Sequence, residues 1–259
     1  MRRLILEEPV SRSALWSRRL SGFACVGVAI AIALARLNAV EPANALLVFA
    51  ASLTVACLGS LLAGAGAVEI WRTGRRGAGL AASGFALTLA LCAYPAYLAV
   101  QALRYPAIND VSTDLENPLS YMTSLHARQA RAGRTPPAPS AQTQAAQKNA
   151  YPMLRPAFVD MEPAQAYELV LRLAKGSGWR IVDGSPPNPS GDGVARVDAA
   201  VHSLFFGFAD DVAIRITPLA TQTRIDLRSS SRVWGHDFGA NAERIERFIR
   251  DVHDATGPS

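Results

Sequence analysis

Three long, nearly uncharged apolar runs, at about 21–37, 43–70 and 78–103, occupy the start of the chain. Each approaches or exceeds the roughly 20 residues that a helix needs to cross the hydrocarbon core of a bilayer. Backbone polar groups find no water there, so a segment of this kind is helical. Residues 1–103 are therefore read as a membrane anchor of three transmembrane helices.

The position of the charges gives the anchor a direction. Residues 1–103 carry 9 Arg and 4 Glu, a net +5, whereas residues 104–259 carry 17 Arg and Lys against 17 Asp and Glu. The whole basic excess thus lies beside the apolar runs, where positive residues set topology. This removes the main argument for nucleic-acid binding, because the second half of the chain is neutral. Arg2, Arg3, Arg12, Arg18 and Arg19 precede or open the first run, and Arg72, Arg75 and Arg76 separate the second from the third. Both segments are expected on the cytoplasmic side. The loop around 38–42 carries Glu41 and no Lys or Arg, with Arg36 near enough to reach the outer interface. The third span then delivers everything after about residue 104 to the extracytoplasmic, or periplasmic, side of a bacterial inner membrane. A signal peptide cut near Ala43-Asn44-Ala45 is the alternative for the first run, and it leaves the remaining orientation unchanged.

Cys25, Cys57 and Cys92 all fall within the apolar runs. The second half therefore has no disulfide framework and no thiolate metal site. No cofactor or metal is expected, and its fold must rest on a hydrophobic core.

That half, residues 104–259, begins with a polar lead-in over 105–114 and continues into a stretch over 127–149 rich in Ala, Gln, Pro and Arg. Such a composition suggests a flexible insertion. Ala166, Leu169, Val170 and Leu173 then recur at helical spacing behind Pro163. Trp179 to Val182 reads as a short strand. From Val194 onward the period is two, with Val197, Ala199 and Val201, then Val212, Ile214 and Ile216, then Ile225 and Leu227 alternating with polar residues. Phe238, Ala242, Ile245, Ile249 and Val252 form the apolar stripe of a closing helix. The expected fold is a small α+β domain, an antiparallel sheet of about four strands packed against two helices.

Four segments carry a resemblance: Ile108-Asn109-Asp110-Val111-Ser112-Thr113-Asp114; Asp210-Asp211-Val212-Ala213-Ile214-Arg215; Asp226-Leu227-Arg228-Ser229-Ser230-Ser231-Arg232; and Asp237-Phe238-Gly239-Ala240-Asn241-Ala242-Glu243-Arg244-Ile245. In this order they resemble the bacterial domain-of-unknown-function family numbered 1499, over most of residues 104–255 and not the apolar runs. The resemblance implies fold and boundaries and brings no catalytic residue with it. The stretch at 127–149 departs from the family's more compact lead-in.

Two constellations are candidates for a site. Arg215, Arg224, Arg228 and Arg232, near the serines at 229–231, offer guanidinium forks and hydroxyls suited to an anionic ligand. Their alternative is a solvated sheet face on which Asp198, Asp211 and Asp226 neutralise them across strands. Helical geometry places Asn241 inside the apolar arc of the last helix, so its amide needs a buried partner, for which the 226–232 segment is available. Asn241, Arg244 and Arg232 are either a bracket tying helix to sheet or one wall of an anion or peptide pocket. Asp110, Asp114, His236 and Asp237 are the candidates for acid/base chemistry in an envelope hydrolase acting on an ester or phosphate. Asp237 also suits a helix cap, and Asp210 and Asp211, adjacent on a strand, must point to opposite faces. The leading expectation is a non-enzymatic cell-envelope protein whose partners are the lipid bilayer and an envelope protein, peptide or anionic ligand.

Overall fold

The computed structural model describes residues 8–257. Arg2 and Arg3, used above to orient the first span, lie outside the described residues. The chain divides into two units, Met1–Val100 and Gln101–Ser259.

The first unit consists of α1 (Arg12–Arg36), α2 (Pro42–Thr73) and α3 (Ala78–Arg104), the last extending into the second unit, and all three are long and apolar enough to cross a membrane. α1 starts before the apolar run because Ser11 caps it, accepting a hydrogen bond from the Ala14 amide at 3.2 Å. The seam between α1 and α2 is built from small residues. Ala14, Ser17, Ser21, Ala24 and Ala31 are buried on α1, and Ala45, Ser52, Ala56, Gly59, Ala63 and Gly66 on α2. Large side chains such as Phe23, Leu61, Trp71 and Leu89 point outward. That inversion suits a lipid solvent, in which close backbone packing and interhelical hydrogen bonds replace a hydrophobic interior. Thr88 of α3 supplies such bonds, to Ser21 at 3.0 Å and to the Ala56 carbonyl at 2.9 Å. Of the glycines on α2, Gly59 and Gly66 face α1, whereas a side chain at Gly64 would meet nothing. Glu69 accepts from Ser11 at 2.6 Å and pairs with Arg75. The Ser11 amide donates to the Arg76 carbonyl at 2.9 Å, so the approach to α1 and the loop between α2 and α3 meet.

The second unit continues through β1 (Asp110–Ser112), α4 (Leu125–Ala130), α5 (Ala141–Ala150), β2 (Ala157–Val159), α6 (Pro163–Gly176), β3 (Arg180–Ser185), β4 (Ala195–His202), β5 (Ala209–Pro218), β6 (Thr223–Ser231) and α7 (Ala240–Thr256). The strands β3 to β6 form the antiparallel meander expected from their period-two patterns. The sheet has six strands rather than about four, because β1 and β2 share the outer edge of β6, opposite residues 228–230 and 223–225. Strands of three residues are too short to show a period, which hid them in the sequence.

One face of the sheet is apolar. Val197, Ala199, Val212, Ile214, Ile216, Ile225 and Leu227 pack there against Ala166, Val170 and Ala174 of α6 and Ala242, Ile245, Phe248 and Val252 of α7. Each fully buried Val, Leu, Ile or Phe contributes about 1.5–3 kcal/mol. Phe248, stacked on Trp179 with ring centroids 4.8 Å apart, takes the central place in the helix stripe, and Ile249 is only partly buried.

The other face, expected to be solvated, is covered. Residues 113–137 cross it and bury Leu119, Tyr121, Ala127 and Arg131. The physical reason is that Asp198, Asp211, Asp226, Arg215, Arg224 and Arg228 on this face all have partners of opposite sign. Where composition suggested a flexible insertion at 127–149, the structure has the end of α4, a turn at 131–134 and α5, held to β1 by Gln147. Its side-chain amide donates to the Ser112 carbonyl at 2.6 Å and accepts from the Ser112 amide at 3.0 Å.

Candidate functional site

Alternation along β4, β5 and β6 directs Asp198, Asp211, Arg215, Arg224, Asp226 and Arg228 to the covered face. There they meet Asp110 from β1, Asp114 just beyond it, Arg131 after α4 and Arg232 after β6. Arg228, 1 % exposed, forms a fork with Asp110 at 2.9 and 2.6 Å and also donates to the Leu119 carbonyl at 2.6 Å and to the Pro137 carbonyl. Arg131, equally buried, joins Asp198 and Asp211 and donates to the Met122 carbonyl at 2.9 Å. Arg232 grips Asp211 at 2.9 and 2.7 Å. Arg215 and Arg224 both hold Asp114, at 2.8 and 3.0 Å, and both reach Asp226, at 3.3 and 2.9 Å. The network contains five arginines (131, 215, 224, 228, 232) and five aspartates (110, 114, 198, 211, 226), so it is neutral by construction.

Tyr121 sits between two of the arginines, with Arg131 and Arg228 lying 4.9 and 5.0 Å from its ring centre. Its hydroxyl bonds to Ser230 at 2.7 Å and donates to the Asp211 carbonyl at 3.1 Å. Burial and the neighbouring Asp110 push this phenol far above its ordinary range, so it stays protonated. Burial also raises Asp198, against the opposing pull of Arg131. At Asp114 burial alone would raise the pKa. The Asn117 amide and the guanidiniums of Arg215 and Arg224 outweigh it and hold the carboxyl below its usual value.

Asn241 and Arg244 lie on the opposite, apolar face, because Ser229 and Ser231 point that way. The Asn241 carbonyl oxygen accepts from Ser229 at 2.7 Å, and its amide donates to Ser231 and to the Asn109 carbonyl, both at 3.1 Å. Arg244 donates to Ser229 and to Asn241 at 2.6 Å and pairs with Asp210. The structure therefore does not bring Arg232 together with Asn241 and Arg244 as one wall. The sheet separates them.

The four acid/base candidates are likewise dispersed. Asp110 belongs to Arg228, and Asp114 to Arg215 and Arg224. Asp237 accepts from the amides of Gly239 at 2.9 Å and Asn241 at 3.1 Å at the start of α7, and burial raises its pKa despite those bonds. His236 accepts from the Phe238 amide at 3.0 Å through Nδ1 and stacks on the Phe238 ring. Among the described residues, no group of three His, Cys, Asp or Glu is arranged to hold a metal ion.

What is open is a cavity of about 550 Å³ between the 134–140 segment and the edge formed by β1 and the end of β6. Arg134, Pro136, Pro137, Pro139 and Thr143 line it from the segment and α5, and Asp110, Asp211, Ser231 and Arg232 from the sheet.

A family model described as "Protein of unknown function (DUF1499)" matches residues 110–252. The chain belongs to the DUF1499 family. The match begins at Asp110 and ends at Val252, so the DUF1499 region takes in the complete arginine–aspartate network, the cavity lining apart from Asn109, and the core-facing stripe of α7. No curated protein and no solved structure matches the chain significantly. Within the DUF1499 region, Arg131, Tyr121 and Gln147 are the structurally decisive residues that sequence reasoning missed. The available signal was a strand face with aspartates at 198 and 211, which a neutral domain must neutralise from elsewhere in the chain.

Proposed function

We propose that this DUF1499 protein is a non-enzymatic, membrane-anchored binding module of the bacterial cell envelope. In this reading its three helices cross the cytoplasmic membrane with the N-terminus inside and the C-terminal domain outside. The orientation rests on arginine placement. Arg12, Arg18 and Arg19 lie in the first turns of α1, Arg75 and Arg76 lie between α2 and α3, and the Ser11 to Arg76 hydrogen bond keeps these basic segments on one side of the bundle.

The observation that carries the binding reading is the cavity of about 550 Å³ beneath the proline-rich 134–140 segment, which has prolines on one side and Asp110, Asp211 and Arg232 of the internally paired network on the other. Apolar walls with a few polar groups suit an extended peptide segment of an envelope protein. Arg134, one of the lining residues, is the cation proposed to meet a carboxylate on it. The dispersed positions of Asp110, Asp114, His236 and Asp237 speak against the hydrolase alternative.

A photo-crosslinking residue in place of Thr143, in the cavity, and of Glu243, on the exposed face of α7, tests this in cells. A discrete adduct at 143 that is absent at 243, and is lost when Ala138→Trp fills the cavity, is the expected result. Equal patterns at both positions, with turnover of an ester or phosphate by the purified full chain, would overturn it.

A further inference from the structure

Arg196 stands directly opposite Arg215 across the β4–β5 ladder. Like charges at facing positions of an antiparallel pair repel, and nearby acids normally offset the repulsion. Arg215 has that offset, because Asp114 and Asp226 hold it at 2.8 and 3.3 Å. The same two acids also serve Arg224, so these four groups are already neutral together. Arg196 is exposed, its bond to the Ser120 hydroxyl is stretched to 3.5 Å, and among the described residues no carboxylate pairs with it. Asp183 and Asp198 face each other further along β3 and β4 and are taken elsewhere. Asp183 accepts from the Ser124 hydroxyl and from the Gly184 amide at 2.9 Å, and Asp198 from Arg131 and from the Met122 amide at 2.8 Å. One positive charge on this face is therefore left over.

The two arginines line a cavity of about 110 Å³ with the 117–120 segment, and Asn117, Ser120 and Asp198 are its other polar residues. The segment is fixed in place. The Asn117 amide donates to Asp114 at 2.9 Å, and the carbonyl of the buried Leu119 accepts from Arg228 at 2.6 Å. A guanidinium carries five N–H donors. Arg215 spends one Nη1 hydrogen on the Asn117 carbonyl at 3.3 Å and its Nη2 on Asp114 and Asp226, which leaves Nε and the second Nη1 hydrogen without a protein acceptor. Arg196 keeps nearly its whole fork. Ser120 accepts from Arg196, so its own hydrogen remains to be donated. Asp198 opposes an anion here, but its charge is answered by Arg131.

From this surplus charge, and independently of the peptide reading, we infer that the cavity over β4 and β5 binds a small tetrahedral oxyanion of the phosphate class. Arg196 and Arg215 form a two-guanidinium clamp, and Ser120 adds a hydroxyl donor. Guanidinium forks match pairs of oxygens on such an anion. An anion between the two arginines replaces their repulsion by attraction, so binding also stabilises the fold. The volume admits one such group and not a peptide, which separates this site from the larger cavity beneath the 134–140 segment. Because Arg196 reaches solvent, the clamp accepts a free phosphate or the terminal phosphate of a monoester.

The test titrates inorganic phosphate into the 259-residue chain in uncharged detergent micelles at constant ionic strength, read by calorimetry and by thermal unfolding. A saturable heat and a Tm that rises with phosphate are expected. Arg196→Gln should weaken binding about ten-fold or more, the effect of losing a hydrogen bond to a charged group. Its Tm without phosphate should stay equal or rise, because the repulsion from Arg215 is gone. Arg250→Gln, on the exposed face of α7, should bind as the native chain does. Glycerol phosphate, titrated in parallel, reads the source: tighter binding of inorganic phosphate marks a free ion, and tighter binding of the ester marks a phosphorylated molecule, with the same dependence on Arg196. Absence of saturable binding of either probe, or binding that Arg196→Gln leaves intact, would overturn the inference. An equal loss in Arg250→Gln would also overturn it, as the mark of a general charge effect.

Discussion

Arg131 reaches Asp211 at 3.1 Å with both side chains 1 % exposed, and the same guanidinium holds Asp198. Taking such ions out of water costs several kcal/mol each, and the attraction between them mainly offsets that cost. The network therefore specifies how the 113–137 segment lies on the sheet more than it adds net stability. Removing one partner is a different matter, because it strands charge in the interior. Arg131→Met is expected to destabilise the domain by about 3–5 kcal/mol, read as a lowered midpoint in urea unfolding of the 259-residue chain. Adding Asp198→Asn and Asp211→Asn should recover part of the loss, whereas strict additivity of the three changes would contradict the pairing.

Asn241 is expected to behave as a bracket. Asn241→Ala leaves the Ser229 and Ser231 hydroxyls and Arg244 short of a partner on a buried face, with a cost of about 1–3 kcal/mol. Thermal unfolding should show a clear drop in Tm. An unchanged Tm with loss of partner crosslinking would instead place Asn241 in a binding surface.

The pH response follows from opposite shifts. Asp114 is held below its usual pKa, so its contribution is present above the unfolded value of about 3.9 and is lost as pH falls through the folded value. Asp198 and Asp237 are raised, so their ionisation works against the fold as pH rises, and neither gains from neutral pH. Hence the stability gap between the native chain and Asp114→Asn should be widest near neutrality and close below about pH 4. Urea unfolding at several pH values measures it, and a gap that widens in acid would reverse the assignment.

In the helical unit, the same substitution at two glycines of α2 should have different outcomes. A Cβ at Gly66 would lie 2.8 Å from the Ala14 amide nitrogen and 3.1 Å from its Cα, both backbone atoms, whereas at Gly64 nothing lies within 4 Å. Gly66→Ala is expected to lower the unfolding temperature in detergent micelles, and Gly64→Ala to leave it unchanged or slightly higher, as Ala is the better helix former. Equal effects would show that the α1–α2 seam is not closed through Gly66.

The pattern-driven parts of this architecture were legible in the sequence. Apolar runs gave α1 to α3, and period-two alternation in Val212, Ile214 and Ile216 gave the meander. Asn241, a polar residue inside an apolar arc, announced a buried partner. Arg131 did not announce itself. It sits in an Ala, Gln and Pro-rich stretch whose composition resembles a linker, and its role depends on Asp198 and Asp211, distant in sequence and revealed only by folding. The same cause turned the expected solvated face into a covered one, and it separated Arg232 from Asn241 although only nine positions divide them.

Orientation is the claim on which the functional reading depends. In a chain with Cys25, Cys57 and Cys92 replaced by Ala, a membrane-impermeant maleimide can be offered to intact cells carrying Glu243→Cys, on the exposed face of α7, or Thr73→Cys, at the exposed end of α2. Labelling at 243 in intact cells, with labelling at 73 only after permeabilisation, is the outcome expected for an N-terminus inside and a DUF1499 domain outside. Labelling at 73 in intact cells with 243 protected would contradict it.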